Sequence, residues 1–219
     1  MNDPRKYVFA FEDGDGKNKM LLGGKGANLC EMTQIGLNVP PGFTITTEAC
    51  LSYLEHPDND LPAGVMDQVR EHMKALEQHT GKTFGGGDNP LLVSVRSGSA
   101  MSMPGMMDTI LNLGLNIDTL KGLIAQTSNE RFAYDAYRRL INMFGDVVMG
   151  MEHEHFEAEF DKIKKKYGVE LDTDVPAEGL KELCEAYKKV YKKHTQQDFP
   201  QDPLKQLQLS IEAVFGSWN

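Results

Sequence analysis

A glycine-rich stretch with one lysine is the first part of the chain that could do chemistry. Residues 20–29 read MLLGGKGANL, in which Gly23, Gly24 and Gly26 surround Lys25. Glycine lets a backbone approach a ligand closely and expose its N–H groups, and a following helix adds the positive end of its dipole. The spacing therefore indicates an anion site, above all for phosphate. The alternative is a strand-to-helix turn that needs glycine only for its backbone.

Neither of the two common phosphate-binding motifs fits this stretch. The P-loop pattern would need a glycine where Lys19 stands and a hydroxyl side chain where Gly26 stands. The dinucleotide pattern GxGxxG fails at Leu29. Phosphate binding and a purely structural turn therefore both stay open at this point.

A second unusual stretch, SVRSGSAMSMPGMMDT, covers residues 94–109. Arg96 leaves LLVSV, which the apolar pattern predicts to be a buried strand, and Asp108 and Thr109 close the segment. Burial of an isolated charge is strongly unfavourable, so the arginine is expected to meet an anion, and an internal salt bridge to a carboxylate is the alternative. Methionines clustered in such a loop are typical of an adaptable surface that closes on a ligand or a neighbouring domain.

Other clusters of polar residues give weaker signals. Residues 152–155 read EHEH, but they lack the spacing of a zinc site, and a solvated helix surface is the better prediction. No Ser-His-Asp or Cys-His arrangement is supported by spacing alone, and no metal ligands are predicted within the chain.

Composition limits the partners and the compartment. With 23 basic and 32 acidic side chains the net charge is −9, which argues against nucleic acid or an anionic membrane as a partner. The three cysteines are widely spaced and form no CxxC pair, as in proteins of a reducing compartment, so the cytoplasm is predicted. No apolar stretch reaches the length of a membrane span.

The chain begins with a mixture of strands and helices. Strands are predicted at 7–11, within 39–47, at 91–95 and at 109–115, where the leucines alternate. Helices are predicted at 24–35, after Thr47 as N-cap, and from Pro62. Gly36 is expected in the left-handed position that ends the first helix.

From residue 116 onward only helices are predicted. The first runs over 131–148, with Thr127 and Glu130 as a capping box, and the second ends at Gly168. Two more begin at Pro176 and Pro203. The fold class is therefore α+β, with an all-helical second part.

Four stretches taken together resemble the N-terminal region of the pyruvate, phosphate dikinase family. They are LLGGKGANLCEM, VPPGFTITTEA, LLVSVRSGSAMSMPGMMDTILNLGLN and RFAYDAYRRLINMFGDVVM, in this order across nearly the whole chain. Related dikinases such as phosphoenolpyruvate synthase share the GGKGANL and SVRSS-type elements. The MPGMMDT run and the helical region after it favour the first family.

The resemblance implies an ATP-grasp fold and a particular domain plan. Residues 1–116 would form the first α+β ATP-grasp subdomain, 117–201 a helical insertion, and 202–219 a helix returning to the first subdomain. The second ATP-grasp half would lie beyond Asn219. The family interconverts ATP, phosphate and pyruvate with AMP, diphosphate and phosphoenolpyruvate through a phosphohistidine domain that moves between two sites.

The resemblance also implies roles for individual residues. Lys25 and Arg96 would approach the nucleotide phosphates, with Arg96 catalytic. The remaining nucleotide-binding positions would be Gly23, Gly24, Gly26, Asp108 and Thr109. The cofactors would be ATP and Mg²⁺, the latter held by residues outside this chain.

Partners and activity follow from the same resemblance. The partners would be AMP, phosphate and the remaining dikinase domains, in a full-length homo-oligomer, and the chain alone is expected to be inactive. A free-standing nucleotide- or partner-binding module without catalysis is the alternative.

Overall fold

The structure, a computed structural model, describes residues 5–98 and 109–218, which form two compact units. Of the described residues, the first unit holds 5–81, 96–98 and 214–218, and the second holds 82–95 and 109–213. The predicted α+β class is confirmed. The predicted boundaries after residues 116 and 201 are not tested by these units and stay a prediction.

The first unit combines a two-stranded sheet with three helices. Its strands and helices are β1 Val8–Ala10, α1 Lys19–Gln34, β2 Phe43–Ile45, α2 Thr47–Glu55 and α3 Val65–Thr80. β1 and β2 are antiparallel, with Val8 opposite Ile45 and Ala10 opposite Phe43. Val65, Val69 and Met73, spaced by four residues, bury one face of α3.

α1 packs through a small apolar cluster. Phe11, Leu22, Ala27 and Cys30 are all buried there. Burial raises the pKa of the Cys30 thiol, and the nearby Glu12 carboxylate raises it further.

α1 ends as the sequence predicts. Gly36 takes a left-handed φ of 83°. The N–H of Gly36 donates to the carbonyl of Thr33, and that of Leu37 to the carbonyl of Met32, which together make a Schellman motif.

The second unit carries four short strands and most of the helices. They are β3 Thr83–Phe84, β4 Pro90–Leu91, β5 Val93–Arg96, β6 Thr109–Leu113, α4 Ile117–Thr127, α5 Glu130–Met143, α6 Glu154–Tyr167, α7 Ala177–Thr195 and α8 Pro203–Gly216. A π-helical turn, Phe144–Val148, continues α5, and a 3₁₀ turn, Asp172–Asp174, precedes α7. The last residue of β5 and the end of α8 belong to the first unit.

An aromatic core and a buried polar network hold the second unit together. Phe144, Tyr191 and Phe199 pack with ring centroids 5.5–6.3 Å apart. Gln206 has no exposed surface. It donates to the carbonyls of Leu115 and Pro200 at 2.9 and 2.8 Å and accepts from the N–H of Gly114 at 3.0 Å.

Three predicted helix starts are wrong, and in each case a neighbouring residue takes the role. Thr46, not Thr47, caps α2, accepting from the N–H of Ala49 at 3.3 Å. Asn129 caps α5, while Thr127 belongs to α4 and donates to its own helix. The capping box lies instead at the start of α4, between Asn116 and Thr119.

The third start concerns α3. The helix begins at Val65 rather than at Pro62 because Gly64 before it has a φ of 86°, which no helix interior allows.

Two strand predictions also need correction. LLVSV is not one buried strand: it is split between β4 and β5, and β5 alternates half-buried and exposed residues. In β6, Ile110 and Leu113 are buried but Leu111 is exposed. Asn112 has a φ of 62°, which breaks the simple alternation of sides.

No helix in the described parts of the chain has both the length and the apolarity needed to span a bilayer.

Candidate functional site

A kink in α1 creates the local geometry of the glycine-rich stretch. Gly23 has φ 71° and ψ 166°, far from helical values, so the element consists of one turn before Gly23 and a longer helix after it. Asn18 caps the first turn by accepting from the N–H of Leu21 at 3.1 Å. Gly24, Lys25 and Gly26 therefore open the second helix, where backbone N–H groups lack partners within the helix and the dipole is positive.

The glycines of the turn are required by close neighbours. A Cβ on Gly23 would overlap the main-chain carbonyl of Gly98. A Cβ on Gly26 would lie 2.7 and 2.8 Å from the Cγ2 and Oγ1 atoms of Thr44 in β2. The missing side chains thus let the helix start approach both the sheet and the segment after β5.

The close approach of Gly98 to the glycine turn brings the two chemically unusual stretches together. Gly98 lies two residues after Arg96, and a Cβ built on it would stand 3.5 Å from Cβ of Lys25 and 3.8 Å from N of Gly26. Ser97 is buried, and its hydroxyl accepts from Nε1 of Trp218 at 3.2 Å. The backbone that leaves Arg96 thus lies against the start of the helix and is also tied to Trp218.

Lys25 and Arg96 both lie at the surface. Within residues 5–98 and 109–218 neither of them forms an ion pair. The expectation of a buried Arg96 is wrong, because residues of β5 alternate between half-buried and exposed and Arg96 falls on the exposed side. The internal salt bridge offered as the alternative is not found among these described residues either.

The structure describes two of the three remaining predicted nucleotide-binding residues. Gly24 is half-buried at the start of the second helix. Thr109 is the half-buried first residue of β6 and belongs to the second unit. Asp108 lies outside the described residues.

Sequence reasoning missed two contributors to this geometry. Gly98 lies within SVRSGSAMSMPGMMDT, but its contact with the helix start is not predicted from the sequence. Thr47, predicted as a cap, is instead the first residue of α2, and its hydroxyl donates to the carbonyls of Met20 and Leu21 at 2.5 and 3.3 Å. Two adjacent threonines look alike in sequence, so no sequence signal separates the cap from its neighbour.

Potential metal ligands lie elsewhere. Among the described residues, His56, Asp58 and Asp60 come together on the loop after α2, and all three are exposed. Nothing else at that loop points to a bound ion.

The sequence of the chain is similar to that of a known family. Residues 19–61 match the family described as pyruvate phosphate dikinase, AMP/ATP-binding domain. Over 211 residues, 96% of the chain, it is 54% identical to pyruvate, phosphate dikinase of Entamoeba histolytica. It is 54% identical over 218 residues to the chloroplastic enzyme of Mesembryanthemum crystallinum, and 50% identical over 215 residues to the enzyme of Clostridium symbiosum.

This chain belongs to the pyruvate, phosphate dikinase family. It covers 24%, 23% and 24% of these three dikinases, so it spans about a quarter of their length. The segment matched to the dikinase nucleotide domain contains the glycine turn and Thr47, whereas Arg96 falls in the wider region shared with the whole dikinases.

Proposed function

We propose that this chain is the nucleotide-binding part of a pyruvate, phosphate dikinase. Such an enzyme interconverts ATP, phosphate and pyruvate with AMP, diphosphate and phosphoenolpyruvate through a phosphohistidine. The single observation that carries the proposal is the contact of Gly98 with the helix start at Gly23 to Gly26. It puts a cationic strand end beside a helix N-terminus, inside a chain that matches dikinases along nearly its whole length.

The residues present suit the phosphates of a nucleotide. The N–H groups at the helix start can donate to phosphate oxygens, and Lys25 adds a compact positive charge. Arg96 offers a rigid fork that holds two oxygens at once and can stabilise the charge that develops during phosphoryl transfer. We place Gly23, Gly24, Gly26, Asp108 and Thr109 with these two residues as nucleotide contacts.

The rest of the proposal concerns what this chain works with. ATP and Mg²⁺ are the proposed cofactors, and Mg²⁺ would increase the electrophilicity of the phosphates when it is bound by residues outside this chain. The proposed partners are AMP, phosphate and the phosphohistidine and pyruvate/phosphoenolpyruvate domains, in a homo-oligomer without nucleic acid or membrane. Residues 1–116, 117–201 and 202–219 would be the first ATP-grasp subdomain, its helical insertion and the returning helix.

We further propose a cytoplasmic enzyme whose 219-residue part has no turnover by itself. Three buried cysteines without a disulfide among them suit a reducing compartment. Detection of ATP-, phosphate- and pyruvate-dependent AMP formation by the purified chain would contradict the second statement.

The test of the main proposal is a hybrid enzyme in which this chain replaces the matching region of the Clostridium symbiosum dikinase. Isotope exchange is measured separately for the ATP-dependent and the pyruvate-dependent half-reactions. Arg96→Lys and Lys25→Ala should each slow the ATP-dependent exchange by on the order of tenfold or more, because alignment or charge at the phosphates is lost. The pyruvate-dependent exchange should be unchanged.

Two matched variants control for general effects of the substitutions. Arg70→Lys changes an exposed arginine on α3, and Lys17→Ala removes an exposed lysine just before α1, so both should exchange like the unsubstituted hybrid. Equal loss of both exchanges in the Arg96 and Lys25 variants, or no loss in either, would overturn the proposal.

A further inference from the structure

We infer that the Thr47 hydroxyl is a positioning group for the nucleotide phosphates, because it satisfies the carbonyls that the kink at Gly23 leaves without partners. The inference rests on the proposed function of the glycine turn. It concerns a side chain that touches no nucleotide itself and acts through the backbone of residues 20–26.

The kink at Gly23 leaves main-chain carbonyls before it without their usual helical donors. In an uninterrupted helix the carbonyls of Met20 and Leu21 would accept from the N–H groups of Gly24 and Lys25, four residues later. The non-helical Gly23 separates these groups, so a helix end with unpaired carbonyls faces a helix start with unpaired N–H groups. The N–H groups are the part that an anion can use, and the carbonyls require another donor.

Thr47 supplies that donor. Its Oγ1 lies 2.5 Å from the carbonyl oxygen of Met20 and 3.3 Å from that of Leu21. No other hydrogen bond of the Thr47 hydroxyl competes with these among the described residues, since the N-cap of α2 is Thr46. The start of α2 is thereby tied to the turn before Gly23.

The tie fixes the turn from one side, while Gly98 and Thr44 close on it from the others. Without the hydroxyl, the carbonyls of Met20 and Leu21 are left to water, and the first turn of α1 loses its side-chain hydrogen bond to α2. The N–H groups of residues 24–26 then no longer hold one orientation before the ligand arrives. Preorganisation of donors is what gives such a site its affinity.

The experiment compares Thr47→Val, which keeps the shape but removes the hydroxyl, with Thr47→Ser, which keeps the hydroxyl. The matched control is Thr33→Val, because the Thr33 hydroxyl also donates to a main-chain carbonyl, that of Leu29 at 2.8 Å, but at the far end of α1. The 219-residue chains are titrated with millimolar ATP and with tripolyphosphate, and the amide signals of Gly24, Lys25 and Gly26 are followed by NMR. The ¹⁵N order parameters of the same amides are measured without ligand.

Thr47→Val should bind both ligands about threefold to tenfold more weakly and show lower order parameters at these amides, in keeping with loss of one hydrogen bond. Thr47→Ser and Thr33→Val should stay within about twofold of the unsubstituted chain. If valine prevents folding, Thr47→Ala replaces it in the same comparison. Binding by the hydroxyl-free variant equal to that of the unsubstituted chain, or equal weakening in Thr33→Val, overturns the inference while leaving the proposed function intact.

Failure of the proposed function has a different signature. In that case the unsubstituted chain shows no shift of the Gly24, Lys25 and Gly26 signals with ATP or tripolyphosphate, and the inference about Thr47 falls with it.

Discussion

Gly23→Ala is the substitution that most directly tests how the candidate site is built. Alanine at this position meets two separate penalties. A φ of 71° with a ψ of 166° lies in a region open essentially to glycine alone, which costs about 1–3 kcal/mol for other residues. The added Cβ would also overlap the carbonyl of Gly98, and moving that main chain away costs about 1–3 kcal/mol more.

Gly36→Ala separates the two penalties. Gly36 also has a left-handed φ, 83°, but a Cβ there has no atom within 4 Å. Gly36→Ala should therefore lower the free energy of unfolding only by the cost of placing alanine in a left-handed conformation, about 1–2 kcal/mol. We expect Gly23→Ala to lower the free energy of unfolding by about 3–5 kcal/mol, and the difference between the two variants combines the contact with Gly98 and the less favourable backbone conformation of Gly23.

The assay is urea unfolding followed by the fluorescence of Trp218, the single tryptophan of the chain. Its indole donates to Ser97, next to the contact in question, so the signal reports on the first unit rather than on the whole chain. An equal decrease in the free energy of unfolding of the two alanine variants, or a smaller decrease for Gly23→Ala, would refute the close approach of Gly98 to the turn.

Three other predictions concern the second unit. Gln206→Leu should lower the free energy of unfolding by about 2–4 kcal/mol, measured by circular dichroism in urea, because it leaves two buried main-chain groups and one half-buried carbonyl unpaired. The half-buried control Gln208→Leu should change it little. Burial raises the pKa of Cys184 to about 12, so a thiol reagent at mildly alkaline pH should modify it only in urea, and rapid modification of the folded chain would contradict its placement. Lys166 and then Tyr167 lower the pKa of Glu182 below its ordinary value of 4.5, so its contribution to stability is complete above that pH and is lost as the pH falls further. Acid unfolding of Glu182→Gln should show a weaker pH dependence below 4.5, and an identical profile would contradict the interaction.

Much of the helical layout could be predicted from sequence because the signals are local. Glycines at 36 and 168 end α1 and α6 in the predicted left-handed conformation, and apolar spacing gives the buried face of α3. These features depend on a few neighbouring residues and on a backbone preference that glycine alone meets without strain.

Features that depend on distant contacts could not be predicted in the same way. Asn112 adopts a positive φ within β6, which shifts Leu111 to the surface although its sequence alternates like a regular strand. The apolar run LLVSV does not reveal that one side of β5 is exposed, so the sequence alone places Arg96 at the end of a buried strand.

The candidate site shows the same limit. The glycine turn and the arginine are visible as unusual residue types, but the approach of Gly98 and the role of Thr47 depend on how the chain returns upon itself. The adjacent threonines at 46 and 47 differ only in the geometry of their surroundings.

The first unit is built from three separate stretches of the sequence, and this sets the order in which a nascent chain can complete it. Tyr53 packs on the ring of Phe215 at 5.6 Å, and Ser97 is held by Trp218. A ribosome releases residues in sequence, so α1 and α2 emerge long before these partners exist, and closing such long loops carries an entropic cost. The glycine turn can thus form early, but the segment beside it is secured only after residue 218 has been translated.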